Sequence, residues 1–352
     1  MKIDVASLVP MTTNSGCRIE TRKDGGYVTL SYKSKFNRPE SFRIKRFLVL
    51  DDLFFEGFGL IEGDGDKAKF AAFTNSEFAI LEHFLDFMEK CFDISRKVFR
   101  VRFFLPLGAD PEEVKRKVIG SLKIKESQMT GFSFRSNHRS VVVNLYKRTV
   151  LIDAIFRKLY DFSRDMAKRN KAYAIPYLRG VIAAEGTVQR RNTTRSVFAV
   201  KISSTNPDST DMYKNLLKLC GIDFGKDERD CIPIRHLRNF AKMEKYDLLK
   251  ISEAKRKRFM EGLDILKMKK GNLLDRGITK DRIIRILRSE GPLTIPELLA
   301  KIRKTRETQD RPSLYGHMRD LEKGGKVRKT GTKTIQRPYH KITVWSMANP
   351  SE

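Results

Sequence analysis

The sequence predicts a mixed α+β fold made of two copies of one unit followed by a different tail. Three observations carry this expectation. Segments with apolar residues at helical spacing alternate with short segments of period two. The succession helix, two strands, helix, strands, helix appears twice, at a period too long for a solenoid. From Asp281 onward it gives way to three helices and two strands. The expected division is an N-terminal extension over 1–45, two units over 46–168 and 169–273, and a tail over 274–352.

The first forty or so residues are polar, contain glycine and show little periodicity. Phe42 to Leu50 reads as a strand. Asp51-Asp52 then caps a helix over Leu53–Ile61, which stops at Gly63-Asp64-Gly65. Lys67–Thr74 is a short extended stretch. Ser76–Phe92 is helical, with Phe78, Ile80, Leu81, Phe84, Leu85 and Met88 as its apolar stripe. Val98–Leu107 alternates and reads as a strand, Pro111–Leu122 as a helix, Phe132–Arg135 and Val141–Tyr146 as strands. A helix runs from Val150 into Phe162, and Arg164–Ala172 is a basic connector.

The second unit opens at Pro176, whose fixed φ suits a first helical turn. Its helix covers Tyr177–Ala184 and stops at Glu185-Gly186. Strands at Thr187–Arg191 and Ser196–Ser203, a helix over Ser209–Cys220, a strand near Ile232–Ile234 and a helix from Leu237 complete it. In the tail, Asp281–Arg288 is helical and closed by Gly291. Thr294-Ile-Pro-Glu297 is a capping box for a second helix. Pro312–Lys323 is a third, with Leu314, Met318 and Leu321 on one face, and ends at Gly324-Gly325. Strands at Lys326–Thr330 and Ile342–Trp345 follow. Three helices and a hairpin are the pattern of a winged helix-turn-helix.

Composition narrows the partners. Lys and Arg number 71 against 43 Asp and Glu, a formal charge of +28 and a pI near 10.0. Such an excess suits a polyanion, because each phosphate contact releases condensed counterions. From Ile251 onward there are 25 basic and 12 acidic residues, so both the tail and the rest carry the surplus. Cys17, Cys91, Cys220 and Cys231 form no CxxC pair and no histidine cluster lies beside them. A zinc site is not expected; a reducing, cytoplasmic and nucleoid-associated setting is. No apolar run reaches membrane-spanning length, and the N-terminus lacks a signal pattern. No GxxxxGK[ST] loop indicates a nucleotide triphosphate site. Neither end resembles a splicing junction, so a free-standing chain is expected.

Two segments carry the chemistry: Gly57-Phe58-Gly59-Leu60-Ile61-Glu62-Gly63-Asp64-Gly65 and Leu178-Arg179-Gly180-Val181-Ile182-Ala183-Ala184-Glu185-Gly186. Aligned, they share glycine at position three, apolar residues at four and five, a small residue at seven, an acid at eight and glycine at nine. Positions three and seven fall on one helical face. Gly59 with Gly63, and Gly180 with Ala184, therefore make two smooth faces able to pack backbone to backbone. An acid at a helix C-terminus opposes the helix dipole, so it is a poor choice for stability. Side by side, the helices would bring Asp64 and Glu185 together, where they repel unless a cation lies between them. Two carboxylates sharing a divalent ion suit phosphodiester hydrolysis.

Both segments resemble the LAGLIDADG motif, and two copies in one chain resemble the single-chain homing endonucleases. The resemblance spans roughly Phe47 to Leu249. It implies two pseudo-symmetric halves, each an antiparallel sheet with helices, and motif helices at the interface. It implies Asp64 and Glu185 as ligands of catalytic Mg2+ (or Mn2+), and a monomer that lays its sheets along the major groove of double-stranded DNA. It also implies a basic residue near the ions. Lys250 is the candidate in the second half, with Lys168 a weaker one in the first. Position six is Glu62 in one copy and Ala183 in the other, and the first hairpin, between Gly65 and Thr74, is barely long enough to form.

Candidate DNA contacts follow from strand period. Thr187, Gln189 and Arg191 alternate, as do Lys201 and Ser203, and Arg100 and Arg102 in the first half. In the tail, the third helix offers Ser313, Tyr315, Arg319 and Lys323, and the wing Arg328, Lys329, Lys333 and Arg337. Trp345 is expected in the core. The expected function is metal-dependent, site-specific cleavage of double-stranded DNA. The alternatives are a non-catalytic DNA-binding transcriptional regulator on the same scaffold, or an RNA maturase.

Overall fold

The computed structural model describes residues 1–13, 16–33, 39–65, 71–136, 140–147, 149–191, 195–303, 311–334 and 341–348, with no side chains described at 269–279, 303, 311–313, 334 and 341. The chain is mixed α+β and divides into two units, Met1–Ile265 and Leu266–Glu352. Among the described residues no helix is long and apolar enough to cross a membrane.

The N-terminal stretch is more ordered than its composition predicts. β1 (Lys2–Asp4) reaches forward in sequence to pair with a later strand. β2 (Glu20–Asp24), β3 (Tyr27–Lys33) and β4 (Pro39–Lys45) form an antiparallel meander. Val28, Leu30 and Ile44 point inward and are essentially buried, whereas all of β2 is exposed. Two inward positions on one strand are too few for a periodicity window to register, so this sheet is silent in the sequence pattern.

β5 (Phe47–Val49) pairs with β1 and leads into the first motif helix, α1 (Asp52–Asp64). Asp51 caps α1 by accepting from the Phe54 amide at 3.0 Å. β6 (Ala72–Asn75) and α2 (Phe78–Phe92) follow, then β7 (Arg100–Pro106), α3 (Pro111–Leu122), β8 (Met129–Arg135) and β9 (Val142–Tyr146). The sheet order is β6-β9-β7-β8. β7 and β8 are parallel, a departure from the expected antiparallel sheet. The reason is α3, a helical crossover of the kind a parallel pair requires. The short first hairpin persists as a bridge between Gly65 and Phe73.

α4 (Val150–Arg169) runs seven residues beyond Phe162, so the expected basic connector is helix. α5 (Lys171–Glu185) begins after a single extended residue, Asn170, at φ −138° and ψ 122°. The Asn170 side chain caps α5 at the Ala172 amide, 2.9 Å. The helix therefore starts five residues before Pro176, which lies inside it. Pro176 has no N–H for the Ala172 carbonyl, a local loss that the packed helix tolerates. β10 (Gly186–Arg190), β11 (Val197–Ser203) and β12 (Cys231–Ile234) form an antiparallel sheet, with α6 (Pro207–Leu219) before β12 and α7 (Leu237–Lys245) after it. The core around α1 is aromatic: Phe58, Phe87, Phe92 and Phe156 pack with centroids 4.5–6.4 Å apart.

α8 (Glu253–Glu290) spans the division between the units. The second unit continues with Gly291 at φ 78°, β13 (Leu293–Thr294), α9 (Ile295–Arg303), α10 (Arg311–Lys323), β14 (Val327–Thr334) and β15 (Lys341–Met347). β15 lies between β13 and β14. Ile283, Leu287, Leu298, Leu314, Met318 and Trp345 share its core. Thr294 and Glu297 make the capping box: the Glu297 carboxylate accepts from the Thr294 amide at 2.8 Å, and the Glu297 amide donates to the Thr294 hydroxyl at 3.4 Å.

Candidate functional site

The site is built on the contact between α1 and α5. A Cβ added at Gly59 would lie 2.2 Å from the Tyr177 carbonyl oxygen. One at Gly180 would lie 2.1 Å from the Glu56 carbonyl oxygen and 2.7 Å from the Leu60 amide nitrogen. One at Gly63 would lie 2.4 Å from the Ala184 Cβ and 3.0 Å from the Glu185 Cγ. The two backbones therefore touch at Gly59 and Gly180, while at Gly63 α1 meets the Ala184 side chain and the Glu185 side chain leans over the residue before Asp64.

Two buried carboxylates of α1 tie this contact to the surrounding helices. Glu62 accepts from the hydroxyls of Tyr160 (2.5 Å), Tyr177 (3.1 Å) and Ser209 (2.6 Å), with Arg164 at 3.4 Å. Glu56 meets Lys250 at 2.6 Å, Arg179 at 3.1 Å and His83 at 3.1 Å. Position six of the first motif is thus a structural staple, which explains why Ala183 can stand there in the second.

Both helices end alike. Gly65 sits at φ −74° and ψ 145°, Gly186 at φ −75° and ψ 145°, and each donates its amide to the carbonyl four residues back. A Cβ at either position would fall 2.5 Å or 2.3 Å from that same carbonyl oxygen, so glycine is demanded by contact rather than by φ. Asp64 accepts from the Asn75 side-chain amide at 2.6 Å. Burial pushes the Asp64 carboxyl above its ordinary range; the Asn75 bond and Lys255 pull it down, and Glu77 pushes it up.

The cation at these helix ends is Lys255. Its ammonium donates to the carbonyls of Ile182 (3.3 Å), Ala183 and Ala184 (3.2 Å), the last turn of α5. Burial lowers its pKa, against the fields of Glu77, Asp64 and Glu185, which raise it. The Ser252 hydroxyl donates to Glu77 at 2.5 Å and anchors the start of α8 here. Lys255 answers the difficulty of an acid at a helix C-terminus, since a positive charge there offsets the dipole. Lys250, expected in this place, is instead bound to Glu56 eight residues earlier on α1, ~12 Å along the axis. Lys168 is exposed on α4 and lines a cleft with Asp161, Asp165 and Asp208. Nothing in the sequence separates Lys255 from its basic neighbours Arg256, Lys257 and Arg258; only the fold selects it.

The surface candidates divide. Arg100 and Arg102 lie on the exposed face of β7, opposite Tyr146 and Asn144 of β9. Arg135 joins them: both it and Arg102 approach the Phe104 ring, at 5.1 and 5.6 Å. Thr187 and Gln189 are exposed on β10. A register shift after Gln189 ends the alternation before Arg191, which instead lies over Phe198 at 5.1 Å. Lys201 is half-buried and paired with Glu228 at 2.8 Å, which also holds Arg235. Ser203 meets the Cys231 thiol at 3.4 Å. In the second unit Tyr315, Arg319 and Lys323 are exposed along α10. Arg328 is half-buried, Lys329 pairs with Glu322 at 3.1 Å and Lys333 with Glu297 at 2.8 Å. The Ser313 side chain and Arg337 lie outside the described residues.

Asp64, whose carboxyl is buried, and Glu185 offer only oxygen donors. That suits a hard divalent cation whose remaining ligands come from water and phosphate. Among the described residues no three His, Cys, Asp or Glu side chains converge as a protein-only metal cage.

Residues 173–263, which include the second motif, match the family model of the LAGLIDADG-like domain. The match does not extend to the first motif, whose half carries the shortened hairpin and the α3 crossover. No curated protein matches the chain. Among solved structures the chain is similar to full-length DUF199/WhiA from Thermatoga maritima, at 13% identity and TM-score 0.37, covering 78% of this chain and 91% of that one. It is similar to the N-terminal LAGLIDADG domain of DUF199/WhiA at 13% and 0.35, covering 56% and 83%. It is also similar to I-DmoI in complex with DNA and Ca, at 15% and 0.25, covering 55% and 87%.

Proposed function

We propose that the chain binds double-stranded DNA and cleaves it at a specific site, with Asp64 and Glu185 as the paired acids. The observation that carries this reading is the glycine contact between α1 and α5, which sets the Glu185 side chain over the residue preceding Asp64. Asp64 and Glu185 would hold magnesium or manganese, which when bound supplies Lewis acidity and water of lowered pKa. Asn75 orients the Asp64 carboxylate. Lys255 holds the end of α5 and offsets the charge of both acids, so the pair can be built before any substrate arrives. The exposed faces of β7 and β10 offer Arg100, Arg102, Thr187 and Gln189 to base edges. The three helices and hairpin of the second unit are read as a winged helix, with Tyr315, Arg319 and Lys323 of α10 toward the groove.

The regulator reading has one observation in its favour: Lys255 already supplies positive charge to both acids. One experiment separates the two. Purified chain is offered a randomised duplex library in magnesium, with calcium as the control for binding without turnover. Asp64→Asn and Glu185→Gln should each abolish nicking while keeping or tightening binding, because each removes a negative charge facing phosphate. The double variant should lose little more than either single one. A wild-type chain that selects a sequence but nicks it in neither magnesium nor manganese sinks the nuclease reading in favour of the regulator.

A further inference from the structure

The second unit contains a cleft of about 720 Å³ between the end of α8 and the base of the β14–β15 hairpin, lined by Asp281, Ile284, Arg285, Arg288, Lys326 and Met347. We propose that this cleft binds a purine mononucleotide, with guanine preferred. Such binding is independent of whether the chain cleaves DNA.

The volume lies within the range of small-molecule sites. Ile284, only 9% exposed, and Met347 provide an apolar floor, and a thioether beside a flat ring is a favourable contact. The charges point the same way. Of the other cations of this unit, Lys280, Lys301, Lys329 and Lys333 are each paired with an acid, whereas Arg319 and Lys323 on α10 are not among the described residues. Among the described residues no acid pairs with Arg285, Arg288 or Lys326, although they gather at one cleft. Three unpaired cations at one rim suit a phosphate, which arginine holds through parallel N–H bonds.

Asp281 decides against a simple anion. It lies on the same face of α8 as Arg285 and Arg288, four and seven residues on. It would repel inorganic phosphate, yet it can accept N–H donors. Asp281 and Arg288 stand ~10 Å apart along the helix, about the reach from the base edge to the phosphate of a mononucleotide. A guanine presents two adjacent N–H groups to the two carboxylate oxygens; an adenine presents one. The register Val327↔Met347 puts the cleft at the base of the hairpin, six ladder pairs from Thr334↔Lys341. It is therefore separate from the loop end of the hairpin.

The test is calorimetric titration of the full chain with GMP, AMP, guanosine and inorganic phosphate. GMP should saturate at one site per chain, and guanosine and phosphate should each bind at least roughly tenfold more weakly. Arg288→Gln and Asp281→Asn should each weaken GMP by about the same factor. Lys280→Gln, which removes an equal charge at the Asp320 pair outside the cleft, should leave GMP binding unchanged. Phosphate or AMP matching GMP, no saturation by GMP, or equal loss in Lys280→Gln would overturn the assignment. So would displacement of GMP by duplex DNA, since the cleft would then belong to a nucleic-acid face.

Discussion

Gly180 has no space for a methyl group. The atoms its Cβ would meet, at 2.1 and 2.7 Å, are backbone of α1, which cannot swing aside as a side chain can. Gly120, on the exposed side of α3, has nothing within 4 Å. The same substitution should therefore have opposite signs at the two positions. Gly180→Ala should destabilise by about 1–3 kcal/mol or more through overpacking. Gly120→Ala should stabilise by about 1 kcal/mol, because glycine is a poor helix residue and nothing obstructs the methyl group. Urea midpoints at equal m values measure both, and an unshifted midpoint for Gly180→Ala would mean that the helices are not in backbone contact. The glycines and the two acids are legible in the sequence because their spacing repeats. Asn75 and Lys255 are not, because each reaches the site from a distant element and nothing local marks either.

Among elements, those with strong local signals lie where the sequence puts them: the Asp51 cap of α1, the stripe of α2, the Pro111 start of α3 and the Thr294–Glu297 capping box. The misread elements are those where tertiary packing overrides a local cue. Pro176 reads as a helix start, yet Asn170 starts α5 earlier and the packed helix tolerates the missing hydrogen bond. The β7–β8 pair is parallel because α3 lies between the strands, a relation no strand-level pattern encodes. The capping box of α9 gives a pH prediction. Lys333, with the Thr294 amide and hydroxyl, holds the Glu297 carboxyl down to about 2 from an ordinary 4.5. A depressed carboxyl stabilises the fold above its unfolded pKa and loses that contribution as pH falls through its folded one. Melting temperature should therefore drop between pH 4.5 and about 2. Glu297→Gln should lower it at neutral pH and flatten that acid limb; an identical limb in the variant would remove Glu297 as its source.

At the scale of the whole molecule, the surplus of +28 is sharpened by where the acids are used. Glu56 and Glu62 are buried among helices, Glu89 is bonded to Arg96, Glu228 to Lys201 and Arg235, and Glu297 to Lys333. Carboxylates engaged in internal pairs leave a positive field that raises the local concentration of a polyanion and speeds its encounter. It also follows that exposed cations are not equal. Arg319 and Lys323 on α10 have no acid partner among the described residues, whereas Lys333 is already neutralised by Glu297 at 2.8 Å. If α10 faces DNA, removing one cation that neutralises a phosphate lowers the slope of log K against log salt by about 0.9. Arg319→Ala and Lys323→Ala should each flatten the slope by that amount, and Lys333→Ala by much less, because its charge is spent within the protein. Fluorescence anisotropy on one duplex across a salt series measures all three. Slopes unchanged in the α10 variants would show that the second unit does not bind DNA through this helix.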